Sequence, residues 1–451
     1  MTTTVNPLRP LAGSPRPYHF PDVERRELDN GLTVWLVPLE GATMANAHLL
    51  VDAGASAEDE DHGGVAALTA HLLVTGTRRL DASAFAEATE RLGIDVSSES
   101  SWDSARAAFQ ALPEHLESGI ELMAEMVREP RLDAGEFSRL KAERLNEILQ
   151  ARAEPGRLAD EMFLRQLYTA DTPYRRLSGG TPETVGALTL DDVRAFHAAN
   201  WLPGRAHLIV AGSFDAEAVM RAAQMRLGGW EGAGPGHRSF TARGIGGRRV
   251  VIVDRPGSVQ SELRIGLPGI TRTDPRYFPA LVLGALLGGV FGSRLNLRLR
   301  EELGYTYGAR AGFDPRRAAG PFSAASAVQT EVTAPSITEI LAQLDRVREA
   351  APEMEELLEV RDFLVGIFPL RFETTGGVAA AIEPMAVYDL PNDYWQTYRA
   401  RLEAVQPDDV RAAALDLIHP DQLLILATGD AERIRADVEA AVGPAEVVSP
   451  D

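Results

Sequence analysis

One stretch of this chain is written twice. Residues 191–212 read DDVRAFHAANWLPGRAHLIVAG and residues 408–429 read DDVRAAALDLIHPDQLLILATG, an offset of 217 (408 − 191) that still holds at Gly212 and Gly429. Two copies spaced by about half the chain point to two units of the same fold. Each copy reads as a helix opened by the acidic pair, a proline-containing turn, and an apolar strand closing on glycine. Asp215-Ala216-Glu217 and Asp430-Ala431-Glu432 then open a further helix. Acidic side chains suit such starts, because the unpaired amides of a first helical turn carry partial positive charge.

The beginnings of the two halves correspond more loosely. Residues 31–38 and 249–254 alternate as strands, a second strand follows at 47–53 and 262–267, and an apolar helix comes next, around 62–74 and 275–287. Strands and helices are segregated, so the expected class is α+β: two homologous domains, each a mainly antiparallel sheet packed against helices. The expected boundaries are an N-terminal arm at 1–20 that drapes on the domain, a first domain at 21–230, a Gly/Pro-rich linker at 231–247 and a second domain at 248–451.

Composition sets outer limits. Hydrophobic residues at 45% and charged residues at 24% support large buried cores. Forty-five Lys and Arg against 65 Asp and Glu leave a net charge of −20, which argues against a nucleic-acid or anionic-membrane surface and fits neutral or basic substrates. With no cysteine, disulfides and thiolate chemistry are excluded. The first twenty residues lack the apolar run of a secretory signal, and no stretch reaches the ~20 apolar residues of a membrane span, so a cytoplasmic protein is expected.

Several segments in this order resemble the pitrilysin / mitochondrial-processing-peptidase family of inverted-zincin (insulinase-like) metallopeptidases: GLTVWLVP, LLVTGTRRL, LTLDDVRAFHAANWLPGRAHLIVAGSFD, SRLNLRLREELGYTYGA, RFETTGGVA and LPNDYWQTY. The resemblance covers nearly the whole chain and implies half of a clamshell chamber built from two such domains. Active members carry H-x-x-E-H on a first-half helix. Histidines at i and i+4 share one helical face and chelate Zn²⁺, the glutamate between them acts as base on the metal-bound water, and a later glutamate completes the ligands. Here the matching stretch is Ala67-Leu68-Thr69-Ala70-His71. Alanine stands for the first histidine (Ala67) and for the catalytic glutamate (Ala70), and only His71 remains, with Glu147 matching the later ligand. A histidine and a glutamate fall short of the three protein ligands a catalytic zinc requires, so neither metal nor cofactor is expected in this chain. His62, nine residues before His71, would face the other way along a continuous helix and does not repair the set.

In this family, members without zinc residues can still supply an arginine and a tyrosine, seven apart, to a partner's active site. Arg298 and Tyr305 match that pattern. The guanidinium suits a substrate carbonyl and the phenol a developing oxyanion, although Arg298 could equally pair with Glu301 or Glu302, and Tyr305 could pack in the core beside Tyr307. Gly304 is expected to end the helix and put Tyr305 on a loop or strand. Gly288–Ser293 reads as a turn plus helix cap, and residues 372–377 as a break between helices. His115, His197 and His419 read as ordinary surface or packing residues, and Trp201 and Trp230 as core or turn aromatics. The resemblance thus implies a non-catalytic subunit of a heterodimeric zinc metallopeptidase, with zinc in a homologous partner, peptides as substrate, and Arg298 and Tyr305 acting in trans. A catalytically dead scaffold or peptide-binding protein of the same fold is the alternative, and a self-sufficient peptidase with a rearranged metal site comes last.

Overall fold

The computed structural model describes residues 17–233 and 238–450. Among these residues, twelve strands form two sheets of six. The first sheet takes β1 (Glu24–Glu27), β2 (Thr33–Pro38), β3 (Ala45–Val51), β4 (Asp95–Ser100), β5 (Ala105–Ala111) and β6 (His207–Gly212), in the order β1-β2-β6-β3-β5-β4. The second takes β7 (Arg249–Asp254), β8 (Gln260–Pro268), β9 (Ala309–Phe313), β10 (Pro321–Gln329), β11 (Leu424–Gly429) and β12 (Glu446–Val448), in the order β12-β7-β11-β8-β10-β9. Five of the six strands, β2-β6-β3-β5-β4 and β7-β11-β8-β10-β9, run alike in both. β6 lies parallel to β2 and antiparallel to β3, just as β11 lies parallel to β7 and antiparallel to β8. Thr33 pairs with His207 and Arg249 with Leu424, so the repeat offset of 217 (424 − 207) reappears as strand register. Both sheets are mixed and mainly antiparallel, each packed with helices.

Alternation along the central strands sorts side chains into different cores. Val34 and Leu36 of β2 face helices of the first half, whereas Trp35 and Val37 join a cluster built mostly from the second half. The cause is an exchange of helices. Five helices matter below: α1 (Val65–Leu73), α2 (Ala134–Ala153), α3 (Pro155–Leu167), α4 (Thr333–Glu349) and α5 (Thr375–Val387). From the first half, α3 packs on β8 and β11 of the second sheet, and from the second half α5 packs on β3 and β6 of the first. Val378, Ile382 and Met385 of α5 bury against Leu50 and Ile209, while Phe163 and Leu167 of α3 bury against Val251 and Leu426. Each buried side chain of this size contributes about 1.5–3 kcal/mol, so the halves are held as firmly as a single core.

Polar pairs repeat the exchange. Arg264 on β8 donates to Asp160 of α3 (2.6 Å), and His48 on β3 shares a 2.7 Å hydrogen bond with Glu383 of α5. Arg264 and His48 stand opposite Leu426 and Ile209 (426 − 209 = 217), hence at matching places in the repeat. A further latch centres on Asp103, which is buried and accepts from Tyr174 Oη (2.8 Å), Arg317 N (2.9 Å) and Tyr388 Oη (3.2 Å), the last two from the second half.

The caps of the repeated helices differ from the expectation. The repeated helices, Leu190–Asn200 and Pro407–Leu417, are capped by Thr189 and Gln406; the acidic pairs sit in the first turn, with Asp192 and Asp409 closing capping boxes. Of the N-terminal arm, residues 1–16 lie outside the described residues; Tyr18 and Phe20 pack among Phe368, Phe372 and Trp395 of the second half. In the 231–247 segment, Arg243 and Ile245 hydrogen-bond to Thr169 and Leu167 at the end of α3. No helix among the described residues is long and apolar enough to cross a membrane.

Candidate functional site

The degenerate motif lies on α1, whose start is set by two glycines rather than by His62. Gly64 is the N-cap residue at φ +94, a left-handed backbone conformation that favours glycine. A Cβ at Gly180, in the facing turn, would come 2.4 Å from the Gly63 carbonyl oxygen, so the two turns touch backbone to backbone. The expected helix from residue 62 is therefore too long: His62 sits in the preceding turn, Glu60–His62, with Nε2 3.5 Å from Asp192. Its ring is engaged away from the motif.

Glu58 takes the capping role. One carboxylate oxygen accepts from the Gly64 and Ala66 amides (3.0 and 2.9 Å); the other is buried, 3.6 Å from Arg176 Nη2. Burial pushes this carboxyl up to about 7, against the opposing pull of the two amides and Arg176.

Along α1, every residue except His71 is buried. Ala70 is 0% exposed and belongs to the first-half core, whereas Ala67 is 9% exposed. Burial is the largest influence on His71 and lowers its pKa; Arg144 acts in the same direction, while Glu147, Glu143 and Glu99 oppose. The ring is thus neutral at pH 7. Glu147 projects from α2, but its carboxylate accepts from Arg144 Nη1 (3.0 Å), one turn earlier on the same helix. Arg144 is fixed from its other side, its Nε donating to the Gly179 carbonyl (3.0 Å). Gly179 makes this possible: a Cβ there would sit 1.6 Å from Arg144 Nη2.

Zinc does not fit this donor set. The set offers one neutral imidazole and one carboxylate already neutralised by a guanidinium, with methyl groups where a second imidazole and a base would stand. Among the described residues, no group of three or more His, Cys, Asp or Glu is arranged to hold a metal ion. The missing donors are legible in the sequence, whereas the reach of Arg144 to Glu147 and Gly179 is not.

The second-half residues sit in a different setting. Arg298 lies on a short π-helical segment, Asn296–Glu302, with the wide turns that often occur at functional places. Its Nε and Nη2 make a fork with Glu339 of α4 (2.9 Å each), and Nη1 donates to Glu302 (2.7 Å). These two carboxylates raise its pKa. Gly304, at φ +67, ends the segment, and Tyr305 lies in the connection to β9, its amide donating to Leu299 O (2.8 Å). The Tyr305 ring is half-buried against the second-half core, whereas Tyr307 is 93% exposed. Arg298 lines a cleft of about 590 Å³ whose lining does not include Tyr305. Of the remaining candidates, His197 Nε2 is 2.8 Å from Val127 O, and Trp201 and Trp230 are buried. The break at 372–377 is capped by Thr374, whose hydroxyl accepts from Gly377 N (3.0 Å).

Comparison with known proteins bears on both halves. Residues 34–179 match the model of Insulinase (Peptidase family M16), and residues 187–364 match that of the Peptidase M16 inactive domain. The chain is 26% identical over 414 residues to an uncharacterized zinc protease of Streptomyces coelicolor, covering 88% of this chain and 87% of that one. A Helicobacter pylori protein named as a non-peptidase homolog is 24% identical over 373 residues (81% and 84% covered). A probable mitochondrial-processing peptidase subunit beta of Schizosaccharomyces pombe is 26% identical over 275 residues (60% and 59%). Among solved structures, a peptidase M16 inactive domain from Pseudomonas fluorescens superposes with a TM-score of 0.84 at 26% identity, over 90% of this chain and 98% of that one.

Proposed function

Because the chain belongs to the M16 (insulinase-like) peptidase family in both halves, yet lacks the donors that hold and use zinc, we propose that it is the non-catalytic subunit of a heterodimeric zinc metallopeptidase acting on peptides. The observation that carries this reading is the contrast between the halves. At the first, methyl groups replace an imidazole and a carboxylate, and Arg144 neutralises the remaining glutamate. At the second, Arg298 and Tyr305 keep the residue types and spacing with which zinc-less members assist a partner. In this reading a homologous, zinc-bearing chain supplies the metal and the base. Arg298 donates to a substrate carbonyl, exchanging its bond to Glu302 while Glu339 holds the rest of the guanidinium, and Tyr305 donates to the developing oxyanion. The Schizosaccharomyces pombe relative, named as a subunit of a processing peptidase, supports a paired arrangement. Arg298 occupied by two carboxylates favours a second reading, a peptide-binding scaffold with no share in hydrolysis.

The test is to purify the chain alone, and together with an H-x-x-E-H relative from the same source, and to follow cleavage of an internally quenched peptide. Activity confined to the mixture, falling about 10²–10³-fold with Tyr305→Phe, is expected. A mixture that cleaves no faster than the relative alone would leave the scaffold reading.

A further inference from the structure

We propose that the second sheet carries a groove for an extended peptide with an acidic side chain, and that Arg310 is the residue that selects that carboxylate; this rests on the peptide-acting reading above and adds a substrate class to it. Ala325 of β10 pairs with Arg264 of β8 on one side and with Arg310 of β9 on the other. Paired residues project from the same face of a sheet. Arg264 reaches Asp160 of α3, so all three lie on the face that α3 covers in part. Beyond α3 this face is open. Arg310 is exposed, and a cleft of about 420 Å³ is floored by Ala325 and Ala327 and bounded by Gly156 and Asp160 of α3 and by Tyr307 and Arg310. From β8 across β10 to β9 is about 10 Å, room for one extended chain above the two methyl groups.

The charges of the cleft decide what suits it. Glu154 pairs with Arg157 (2.9 Å), and Asp160 and Glu262 share Arg264 (2.6 and 3.1 Å), so each of these carboxylates has a cation. Arg310 has no such counterpart. Neither its guanidinium nor the side chain of Tyr307, 93% exposed, makes a hydrogen bond, ion pair or ring contact with another described residue. A guanidinium offers donors only, in a fork that fits a carboxylate, and the phenol lining the same cleft adds an O–H. In a chain of net charge −20 most of the surface repels an acidic peptide, so one uncompensated cation decides where its carboxylate rests.

The repeat shows that this cation is particular to the second half. His48, at the place of Arg264, pairs with Ala108, and Ala108 with Ser97, so a neutral hydroxyl stands where Arg310 does. The arginine on that face of the first sheet, Arg106, is taken up by Glu383 (2.7 Å) and Glu99.

The experiment uses the full chain and rhodamine-labelled, C-terminally amidated decapeptides of alanine, serine and threonine that differ only in a central Glu, Gln or Lys, with fluorescence anisotropy as the readout. The Glu peptide is expected to bind about tenfold tighter than the Gln peptide, and the difference to shrink as salt rises. Arg310→Gln is expected to abolish the preference and Arg310→Glu to turn it towards the Lys peptide, both with the thermal midpoint unchanged, since the side chain is exposed and unpaired. Equal binding of the Glu and Gln peptides, a preference that survives Arg310→Gln, or no binding of any peptide would overturn the groove. So would a Gln peptide with a free C-terminus that matches the amidated Glu peptide and loses its gain in Arg310→Gln, because the carboxylate would then be the terminal one. None of these failures touches the subunit reading, which is scored by activity of the mixture. If the Arg310-dependent preference is present but no partner yields activity, the groove stands and the subunit reading falls.

Discussion

Arg144 holds Glu147 in place of a metal, and the strength of that block can be worked out. Ala67→His completes a three-donor set with His71 and Glu147. A zinc ion bound to the Glu147 carboxylate would lie about 2 Å from its oxygen, and the Arg144 nitrogen is 3.0 Å on the far side of that carboxylate. At a separation of about 5 Å and an effective dielectric of about 20, a divalent ion and a guanidinium repel by roughly 6–7 kcal/mol. Arg144 is 23% exposed along its side chain and can swing partly into solvent, so about half of that survives, or about two orders of magnitude in Kd. Ala67→His alone is therefore expected to bind zinc about 100-fold more weakly than Ala67→His/Arg144→Gln, measured by competition with a chromogenic chelator. Unfolding curves check that both fold. If the two variants bind zinc equally well, the guanidinium is irrelevant and this electrostatic reasoning is refuted; if neither binds, the three positions do not converge on one point.

Two further perturbations address the frame of the site. Glu58 holds its proton more tightly in the folded chain (pKa about 7) than in the unfolded one (4.5), so its contribution favours folding below pH 4.5 and is lost as pH rises to about 7. Glu58→Gln is accordingly expected to gain stability relative to the parent between pH 5 and pH 8, on the order of 3 kcal/mol, read from urea midpoints; a pH-independent difference would contradict the buried carboxyl. Asp103→Ala leaves two tyrosine hydroxyls and one amide without their acceptor between the halves and is expected to cost about 3–5 kcal/mol in denaturant unfolding. A loss below about 1 kcal/mol would mean that water replaces the carboxylate freely.

The duplicated architecture was legible because both copies of the helix–turn–strand unit must meet the same neighbours in the same register. His207 and Leu424 show this directly, falling at one repeat offset and starting the same parallel pairing. The exchange of α3 and α5 was not legible, since an amphipathic pattern says which face is buried but not against which sheet. The start of α1 departs from the apolar pattern for a local reason: Gly63-Gly64 permits a turn that periodicity alone runs through. At the site, the loss of donors could be read from two alanines, because their chemistry is independent of folding. The partners of the remaining residues could not. Arg144 reaches Gly179, 35 residues on, only because two glycine turns pack backbone to backbone, and Arg298 meets Glu339, 41 residues on, across two helices.

The most direct test of the account is the zinc content of the purified chain, determined by inductively coupled plasma mass spectrometry after exposure to micromolar zinc and gel filtration, alongside peptide cleavage by the same sample. The account predicts well below one-tenth of a zinc per chain and no metal-dependent cleavage until an H-x-x-E-H relative is added. One tightly held zinc per chain, removed together with activity by a chelator, would contradict it.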